Sequence, residues 1–183
     1  MTRTLVLGGA RSGKSAYAER LAAGSGKEVV YLATAAAGDA EMAARIAQHQ
    51  AQRPAHWRTI EQPLALAAAL AEWRAPQRLV LVDCLTLWLS NLMFSDGRQY
   101  PDVGAIELPA LLHQERAALL AELAIDRGDV VLVSNEVGMG IVPWGAVSRS
   151  YADEAGRLNQ AVAAACDRVA FVAAGLPLML KGA

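Results

Sequence analysis

A glycine-rich stretch near the N-terminus has the residue types and spacing of a phosphate-binding loop. It fits the pattern G-x-x-x-x-G-K-[ST] and runs through Gly8, Gly9, Ala10, Arg11, Ser12, Gly13, Lys14 and Ser15. Glycine lets the backbone curl until successive N–H groups face one anion, and a following helix directs its positive end at the same anion. Lys14 supplies a cation for the β- and γ-phosphates. The stretch predicts a nucleoside triphosphate site; the alternative is a glycine-rich turn that binds nothing.

An acid at the end of an apolar run is the second candidate for chemistry. Residues 79–82 are aliphatic, as in a strand buried on both faces of a parallel sheet, and Asp83 follows them. In a protein with a phosphate loop, an aspartate in this position holds Mg²⁺ directly or through water. We therefore predict that the Ser15 hydroxyl and the Asp83 carboxylate bind one Mg²⁺. The alternative is that Asp83 only caps the next helix.

One of the three histidines has neighbours that suit phosphoryl chemistry. His49 lies one helical turn from Arg45 and one from Arg53, so the three side chains share a face of a predicted helix. Two guanidinium groups attract a triphosphate and favour the neutral imidazole that a nucleophile needs. We expect a structural role for His56 and a surface position for His113. From spacing alone, His49 as a solvated helix residue stays open as an alternative.

A polar loop is predicted where the strand 130–134 ends. Residues 135–143 combine Asn135 and Glu136 with two glycines and a proline. In open α/β sheets, ligands bind outside the carboxyl ends of the strands. The pattern therefore favours a functional loop, with a plain connection as the alternative.

Length, charge and cysteine content narrow the class of protein. A chain of 183 residues suits one domain with a sizeable core, so we expect a single domain over 1–183. The net charge of −1 gives no reason to expect nucleic acid as a partner. Cys84 and Cys166 lie in apolar stretches, which predicts reduced, buried thiols in a cytoplasmic protein. We expect no signal peptide and no membrane span, because the longest apolar run, 79–92, is short and interrupted by polar residues.

Strand and helix patterns alternate along the chain. Strands are predicted over 4–7, 28–33, 78–83, 130–134 and 168–173, with an edge strand over 176–181 and a strand or extended connection over 56–60. Helices are predicted over 16–23, 41–53, 63–74, 86–94, 108–127 and 148–166, and an exposed loop over 95–104. This alternation predicts an α/β fold with a mostly parallel sheet and helices on both faces.

Four segments, taken in order, resemble one enzyme family. They are Gly-Gly-Ala-Arg-Ser-Gly-Lys-Ser at 8–15, Glu-Met-Ala-Ala-Arg-Ile at 41–46, Arg-Pro-Ala-His-Trp-Arg-Thr at 53–59 and Asn-Glu-Val-Gly-Met-Gly-Ile-Val-Pro at 135–143. Together they are similar to the bifunctional adenosylcobinamide kinase/adenosylcobinamide-phosphate guanylyltransferases of cobalamin biosynthesis. The resemblance covers almost the whole chain. It implies a single-domain P-loop NTPase with a RecA-like sheet, and assembly as a homotrimer.

The resemblance also implies two reactions. ATP or GTP phosphorylates the aminopropanol hydroxyl of adenosylcobinamide. GTP then guanylylates a histidine, here His49, with release of pyrophosphate, and the GMP passes to adenosylcobinamide phosphate to give adenosylcobinamide-GDP. The acid after the third strand is Asp83 here, where the family would accept glutamate as readily, and either can bind Mg²⁺.

We therefore assign catalytic roles to His49 and Lys14. The residues expected to bind the nucleotide are the loop 8–15 together with Thr34, Arg45, Arg53, Glu61 and Asp83. Two other classes of function remain open from the residues: a small-molecule P-loop kinase or ATPase without nucleotidyl transfer, and a nucleotide-dependent switch. The chain lacks the Asn-Lys-x-Asp guanine signature of G proteins, which argues against the switch.

Overall fold

A seven-stranded sheet forms the centre of the protein, whose computed structural model describes residues 1–35 and 54–182. The strands are β1 (Arg3–Gly8), β2 (Glu28–Ala33), β3 (Arg58–Glu61), β4 (Arg78–Asp83), β5 (Asp129–Asn135), β6 (Arg168–Ala173) and β7 (Leu176–Lys181). Their order across the sheet is β3-β2-β4-β5-β1-β6-β7. All neighbouring pairs are parallel except β6 and β7, which are antiparallel. The predicted mostly parallel sheet with an edge strand at the end is confirmed.

Helices cover both faces of this sheet. Within the described residues they are α1 (Lys14–Ala23), α2 (Leu66–Trp73), α3 (Leu85–Met93), α4 (Ala110–Ala124) and α5 (Ala146–Ala165). Side chains of α1 belong to the core on one face, and those of α2 to α5 belong to the core on the other. The helix predicted over 41–53 lies outside the described residues.

The strands distribute their apolar side chains alternately to the two cores. In β1, Leu5 and Leu7 face the core under α2 to α5, whereas Val6 between them faces the core under α1. The same alternation occurs in β4, β5 and β2. Because both faces are covered, the central strands are almost continuously hydrophobic, which is why they could be recognised in the sequence.

Two predicted helices are shorter than the sequence indicated. The first begins at Leu66 rather than at Pro63. The Gln62 side-chain oxygen accepts hydrogen bonds from the backbone N–H groups of Leu64 at 3.3 Å and Ala65 at 3.0 Å, which organises a turn before the helix. That side chain competes locally with helical hydrogen bonding and delays the helix.

The second is the long helix α4, which is shorter at both ends. Leu108 precedes Pro109, and the residue before a proline is disfavoured in the helical region, so the helix begins at Ala110. At the other end Ile125 has an extended backbone, and its carbonyl oxygen accepts from Arg74 Nη2 at 2.9 Å. The other element boundaries agree with the prediction to within two residues.

Both cysteines are buried free thiols, as predicted. Burial raises the pKa of Cys84, and it raises the pKa of Cys166 to about 12, so both thiols are protonated at neutral pH. In the part of the chain that the structure describes, no helix has the length and apolar character to cross a membrane.

Candidate nucleotide-binding site

The phosphate loop joins β1 directly to α1, as the sequence predicted. Gly13 is the residue before the helix and has a φ of +91°, in the left-handed region that favours glycine. A Cβ atom on Gly13 would lie 3.0 Å from the Cα atom of Gly175. Gly175 in turn donates its backbone N–H to the Ser12 carbonyl oxygen at 2.8 Å. The turn between β6 and β7 therefore supports the phosphate loop from the side.

Gly175 was missed by the sequence analysis, although its neighbourhood carried a signal. Ala174 and Gly175 both have positive φ and lie between two antiparallel strands, as in a two-residue hairpin turn. A small residue followed by glycine between two predicted strands indicates such a turn. What the sequence could not indicate was the second use of the turn as a support for the loop.

A second glycine of the loop is required by close approach rather than by its dihedral angles. A Cβ on Gly8 would lie 2.5 Å from both the Ser12 hydroxyl oxygen and the Val172 carbonyl oxygen. The Ser12 hydroxyl is itself buried, and it has no hydrogen-bond partner among the described residues. Leaving a buried polar group unsatisfied costs about 1–3 kcal/mol, so the loop contains a polar group that lacks an internal partner.

Lys14 lies on the buried face of α1, and this fixes its position next to the phosphate loop. Together with Ala18 and Ala22, four and eight residues later, it forms the buried side of α1, and only 9% of Lys14 is exposed. Its Nζ atom donates to the carbonyl oxygen of Gly9 at 3.2 Å, which holds the amine over the start of the loop. No carboxylate in the described part of the chain forms an ion pair with it. A buried ammonium without a counter-charge suits an anionic ligand.

We call the line formed by the ends of the parallel strands, at Gly8, Ala33, Asp83 and Asn135, the carboxyl edge. Gly8 is paired in register with Asn135 of the neighbouring strand β5. The backbone N–H of Glu136 donates to the Gly8 carbonyl oxygen at 3.1 Å. The polar loop predicted after β5 therefore lies beside the phosphate loop, as expected from the parallel topology.

Asp83 also lies at the carboxyl edge, on β4. It is paired with Val133 of β5, so one strand separates it from β1, and two strand spacings amount to about 10 Å. Its Oδ2 atom accepts a hydrogen bond from the Tyr31 hydroxyl at 3.0 Å, and the peptide bond between Asp83 and Cys84 is cis. Tyr31 was not singled out from the sequence. A phenol within an otherwise aliphatic strand was the available signal.

The hydroxyl of Thr34 is occupied within the protein. It donates to the Cys84 carbonyl oxygen at 2.7 Å and accepts from the Cys84 N–H at 2.9 Å, and the residue is completely buried. These bonds join the end of β2 to the segment after β4. The assignment of Thr34 to the nucleotide site stays a prediction, and a ligand contact through this hydroxyl would require these bonds to break.

The other predicted site residues lie farther from the loop or outside the described part. Glu61 is exposed at the end of β3, four strands from β1 and thus roughly 19 Å away within the sheet. His49, Arg45 and Arg53 lie outside the described residues, so their roles stay predictions. His56 and His113, which were not assigned to the site, are exposed.

A network of polar side chains behind the carboxyl edge was not predicted. Its centre is Thr86, whose hydroxyl accepts from Asn135 Nδ2 at 2.7 Å and lies 3.0 Å from Cys84 Sγ. The Tyr151 hydroxyl donates to the Thr86 carbonyl oxygen at 2.9 Å. The network connects the segment after β4 and the last residue of β5 to α5, and so it fixes the position of these two strand ends relative to each other.

Comparison with known proteins shows how similar this chain is to the family that its sequence motifs resemble. A family model described as cobinamide kinase / cobinamide phosphate guanyltransferase matches residues 4–180. The chain is 57% identical over 180 residues to the bifunctional adenosylcobalamin biosynthesis protein CobP of Pseudomonas aeruginosa, covering 98% of each chain. It is 43% identical over 181 residues to CobU of Salmonella typhimurium, covering 97% of this chain and 98% of that one.

Solved structures share the fold at low sequence identity. An ATPase from a bacterial type III secretion system matches with a TM-score of 0.56 and 13% identity, over 97% of this chain and 56% of that one. The flagellar accessory protein FlaH of Methanocaldococcus jannaschii matches with a TM-score of 0.51 and 11% identity, over 98% and 78% of the two chains. These structures share the α/β fold predicted from the sequence, with its mostly parallel sheet and helices on both faces. The close relatives and the family match from the first strand to the last show that the chain belongs to the bifunctional cobinamide kinase / cobinamide phosphate guanyltransferase family.

Proposed function

We propose that this protein carries out both reactions of its family with one phosphate loop. ATP or GTP first phosphorylates the hydroxyl of adenosylcobinamide, and GMP is then transferred from GTP to adenosylcobinamide phosphate through a guanylyl-histidine on His49. The observation that carries the proposal is the geometry of residues 8–15. Their glycines permit the close turn, and they place beside the loop backbone a buried lysine that has no counter-charge among the described residues.

The loop residues would bind the triphosphate and stabilise charge during transfer. Backbone N–H groups at the start of α1 would donate to the phosphates, and Lys14 would neutralise charge on the β- and γ-phosphates. The unsatisfied Ser12 hydroxyl is consistent with the same ligand, because a phosphate oxygen would satisfy it. These donors act in both reactions, since both start from a bound triphosphate.

Ser15 and Asp83 fit the usual coordination of Mg²⁺. This ion is generally held by one or two protein oxygen ligands together with phosphate oxygens and water, rather than by a full set of side chains. The described residues contain no group of three or more histidine, cysteine or acidic side chains that could hold a metal. One hydroxyl and one carboxylate near a phosphate loop therefore match Mg²⁺ better than a resident transition metal. When bound, Mg²⁺ would neutralise charge on the phosphates.

His49 would act in the second reaction. A ring nitrogen attacks the α-phosphorus of GTP, so an N–P bond forms and the bond to pyrophosphate breaks. The phosphate of adenosylcobinamide phosphate then attacks the same phosphorus, and the N–P bond breaks to free the histidine. Arg45 and Arg53 would stabilise the negative charge of the transferred group.

The partners follow from the same proposal. They are adenosylcobinamide, its phosphate, and GTP or ATP. We also propose a homotrimer in the cytoplasm, as the family resemblance implies, and no role for nucleic acid.

The decisive experiment separates the two reactions at His49. With GTP carrying radioactive phosphorus at the α position, wild-type protein should become labelled, and the label should be lost in acid and retained in alkali, as a phosphoramidate is. His49→Asn should take up no label and should retain kinase activity within about threefold, because the acceptor in that reaction is the substrate hydroxyl. His113→Asn, which changes an exposed histidine of α4, is the matched control.

Two results would overturn this assignment. One is label on the His49→Asn protein. The other is a wild-type label stable in acid but lost in base, which would point to a different residue. Kinase activity in a wild-type protein that never becomes labelled would favour the alternative of a P-loop kinase without nucleotidyl transfer.

A further inference from the structure

The two reactions of the family differ in their need for a base. In the kinase reaction the nucleophile is an alcohol, which holds its proton firmly at neutral pH and attacks efficiently when a positioned group removes it. In the GMP transfers the nucleophiles are a neutral imidazole and a phosphate whose second pKa is about 6, and both carry a free lone pair at neutral pH. A base near the γ-phosphate would therefore serve the kinase reaction alone.

A backbone hydrogen bond places Glu136 beside the start of the phosphate loop, near the point where Lys14 is held. The Lys14 amine, which is expected to contact the β- and γ-phosphates, is fixed on the Gly9 carbonyl oxygen at 3.2 Å. The carbonyl oxygen of the preceding residue, Gly8, accepts from the Glu136 N–H at 3.1 Å. The carboxylate therefore branches from backbone that is bonded to the start of the loop, next to the point where Lys14 is held.

The orientation of this carboxylate is also defined. Its Oε1 atom accepts from the Gly138 N–H at 2.8 Å, and a Cβ on Gly138 would lie 3.1 Å from that oxygen. Glycine at 138 therefore leaves space for the carboxylate to fold back onto its own loop. No described side chain bonds to the second oxygen, and Glu136 is partly exposed. One oxygen holds the side chain in place while the other is available to a substrate.

Other carboxylates at the carboxyl edge are less suitable. Asp83 lies two strands from β1, accepts from Tyr31 at 3.0 Å and is assigned to Mg²⁺, a role that requires it to stay ionised and bound. Glu61 lies at the end of β3, the outermost strand of the sheet, four strands from β1. Glu136, on the loop after the strand adjacent to β1, is closest in the sheet order.

From these observations we infer that Glu136 is the base of the kinase reaction, an assignment that rests on the proposed function. The free carboxylate oxygen accepts the proton of the adenosylcobinamide hydroxyl. As the O–H bond breaks, the hydroxyl oxygen forms a bond to the γ-phosphorus, and the bond from that phosphorus to the β–γ bridging oxygen breaks. The electron pair leaves with the nucleoside diphosphate, and the proton on Glu136 passes to solvent after product release.

The test compares Glu136→Gln with the wild type in both half-reactions. Glutamine keeps the oxygen that accepts from Gly138 but cannot take a proton, so the loop geometry is retained. We expect the turnover number for adenosylcobinamide phosphorylation to fall by about 10²-fold or more, with guanylyl labelling of the enzyme changed by less than about threefold. Glu136→Asp, which keeps a carboxylate on a shorter side chain, should lie between the two in kinase turnover.

The matched control is Glu72→Gln, which removes the same charge from an exposed position. Glu72 lies near the C-terminal end of α2, which leads to the amino-terminal end of β4 and so away from the carboxyl edge. It should leave both half-reactions unchanged. The assignment is overturned if Glu136→Gln keeps kinase turnover within about threefold, or if kinase and labelling fall together, which would indicate a structural role. Absence of label on the wild-type protein would instead refute the proposed function, and the kinase assay would still decide the role of Glu136.

Discussion

The polar groups at the two ends of the parallel strands differ in how far they are paired within the protein. Within residues 1–35 and 54–182, Lys14 at the carboxyl edge has no carboxylate partner, the Ser12 hydroxyl has no hydrogen bond, and one oxygen of Glu136 accepts no bond from a side chain. At the opposite edge, which we call the amino edge, charges are paired. Arg74 donates to three backbone carbonyl oxygens and to Glu122.

Two further carboxylates at the amino edge are also paired with basic side chains. Asp167 accepts two hydrogen bonds from the Arg3 side chain, at 3.0 and 2.8 Å, and one from the Arg3 N–H at 2.8 Å. Asp129 accepts from the Thr2 N–H and pairs with Lys27 at 2.7 Å. The comparison teaches that the charged groups at the amino edge stabilise the fold, whereas the carboxyl edge, although Thr34 and Asn135 are bonded within the protein, leaves Lys14, Ser12 and one oxygen of Glu136 for a ligand. Mutations at the two edges should therefore separate activity from stability.

The largest effect is expected from Lys14→Ala. Both reactions should fall by at least about 10³-fold, because the variant loses the loop cation that neutralises the β- and γ-phosphates. The melting temperature without nucleotide should not fall, because the lysine is buried and pairs with no carboxylate of the described residues. Steady-state assays of both reactions and thermal unfolding would measure this.

Lys27→Ala is the control for that experiment at the amino edge. It breaks an ion pair with Asp129 and should lower stability slightly while leaving both activities intact. A folded Lys14→Ala protein with wild-type turnover in either reaction would contradict a shared phosphate site.

Arg74→Met should give the next largest effect, on stability alone. It removes a buried guanidinium and leaves Glu122, 7% exposed, with a weaker contact to Arg127 at 3.8 Å as its remaining ion pair in the described part of the chain. We expect the free energy of unfolding to fall by about 3 kcal/mol, because breaking one side of a buried pair leaves an uncompensated charge. Denaturant unfolding of the variant would measure the loss.

Arg157→Met is the matched control. Arg157 is largely exposed, and its partner Glu154 keeps a second bond to Arg116 at 2.7 Å. The loss should stay below about 1 kcal/mol. If the two arginine variants lose equal stability, the pairing at the amino edge is less important than we conclude.

A smaller effect on activity is expected when the metal ligand is changed. Asp83→Asn should slow both reactions by about 10²-fold, and part of the loss should be recovered at high Mg²⁺, because the amide binds the ion more weakly than a carboxylate. EDTA should stop wild-type turnover and added Mg²⁺ should restore it. Full activity after removal of metal would contradict the Mg²⁺ site, and Asp153→Asn, at an exposed position of α5, should have no effect.

The smallest effect is expected for Asp167, whose contribution to the free energy of unfolding should be lost at low pH. Hydrogen bonds from Arg3 lower the pKa of Asp167 to about 2, whereas an unfolded aspartate titrates near 3.9. The unfolded state therefore binds the proton first, and this contribution is present above about pH 4 and lost as the pH falls to about 2. Since 41% of the side chain is exposed, we expect Asp167→Asn to cost under about 1 kcal/mol at neutral pH. Its unfolding free energy should fall less steeply between pH 4 and 2 than that of the wild type.

Much of the fold could be predicted because its signals are local. The central strands are continuous aliphatic runs, and the phosphate loop is a glycine pattern between one such run and a helix. The errors fell at helix ends. There the side chain of Gln62 or the proline at 109 changed the boundary, or a distant arginine bound the last carbonyl oxygens. The proline at 109 is a signal that the sequence does carry, whereas the bonds made by Gln62 and Arg74 compete with helical hydrogen bonds by small energies that a sequence pattern does not reveal.

The candidate site was predictable only in part. The sequence by itself determined which residues could bind a triphosphate, since the loop 8–15 acts mainly through its own backbone and one lysine within a single turn. It also determined that Asp83 and the loop after β5 would reach the same edge, because parallel strands end together. These are consequences of local geometry and of the direction of the chain.

Only the tertiary structure decided which of those polar groups remain available. Thr34 appeared equivalent to other residues at strand ends until its hydroxyl was found bonded to Cys84, and Gly175 became part of the site only through its contact with the loop. The order of the strands placed Glu136 beside Gly8, and it placed Glu61 on the outermost strand β3, far from the phosphate loop. The physical reason is that hydrogen-bond satisfaction and distance depend on partners distant along the chain, which become neighbours only when the sheet forms.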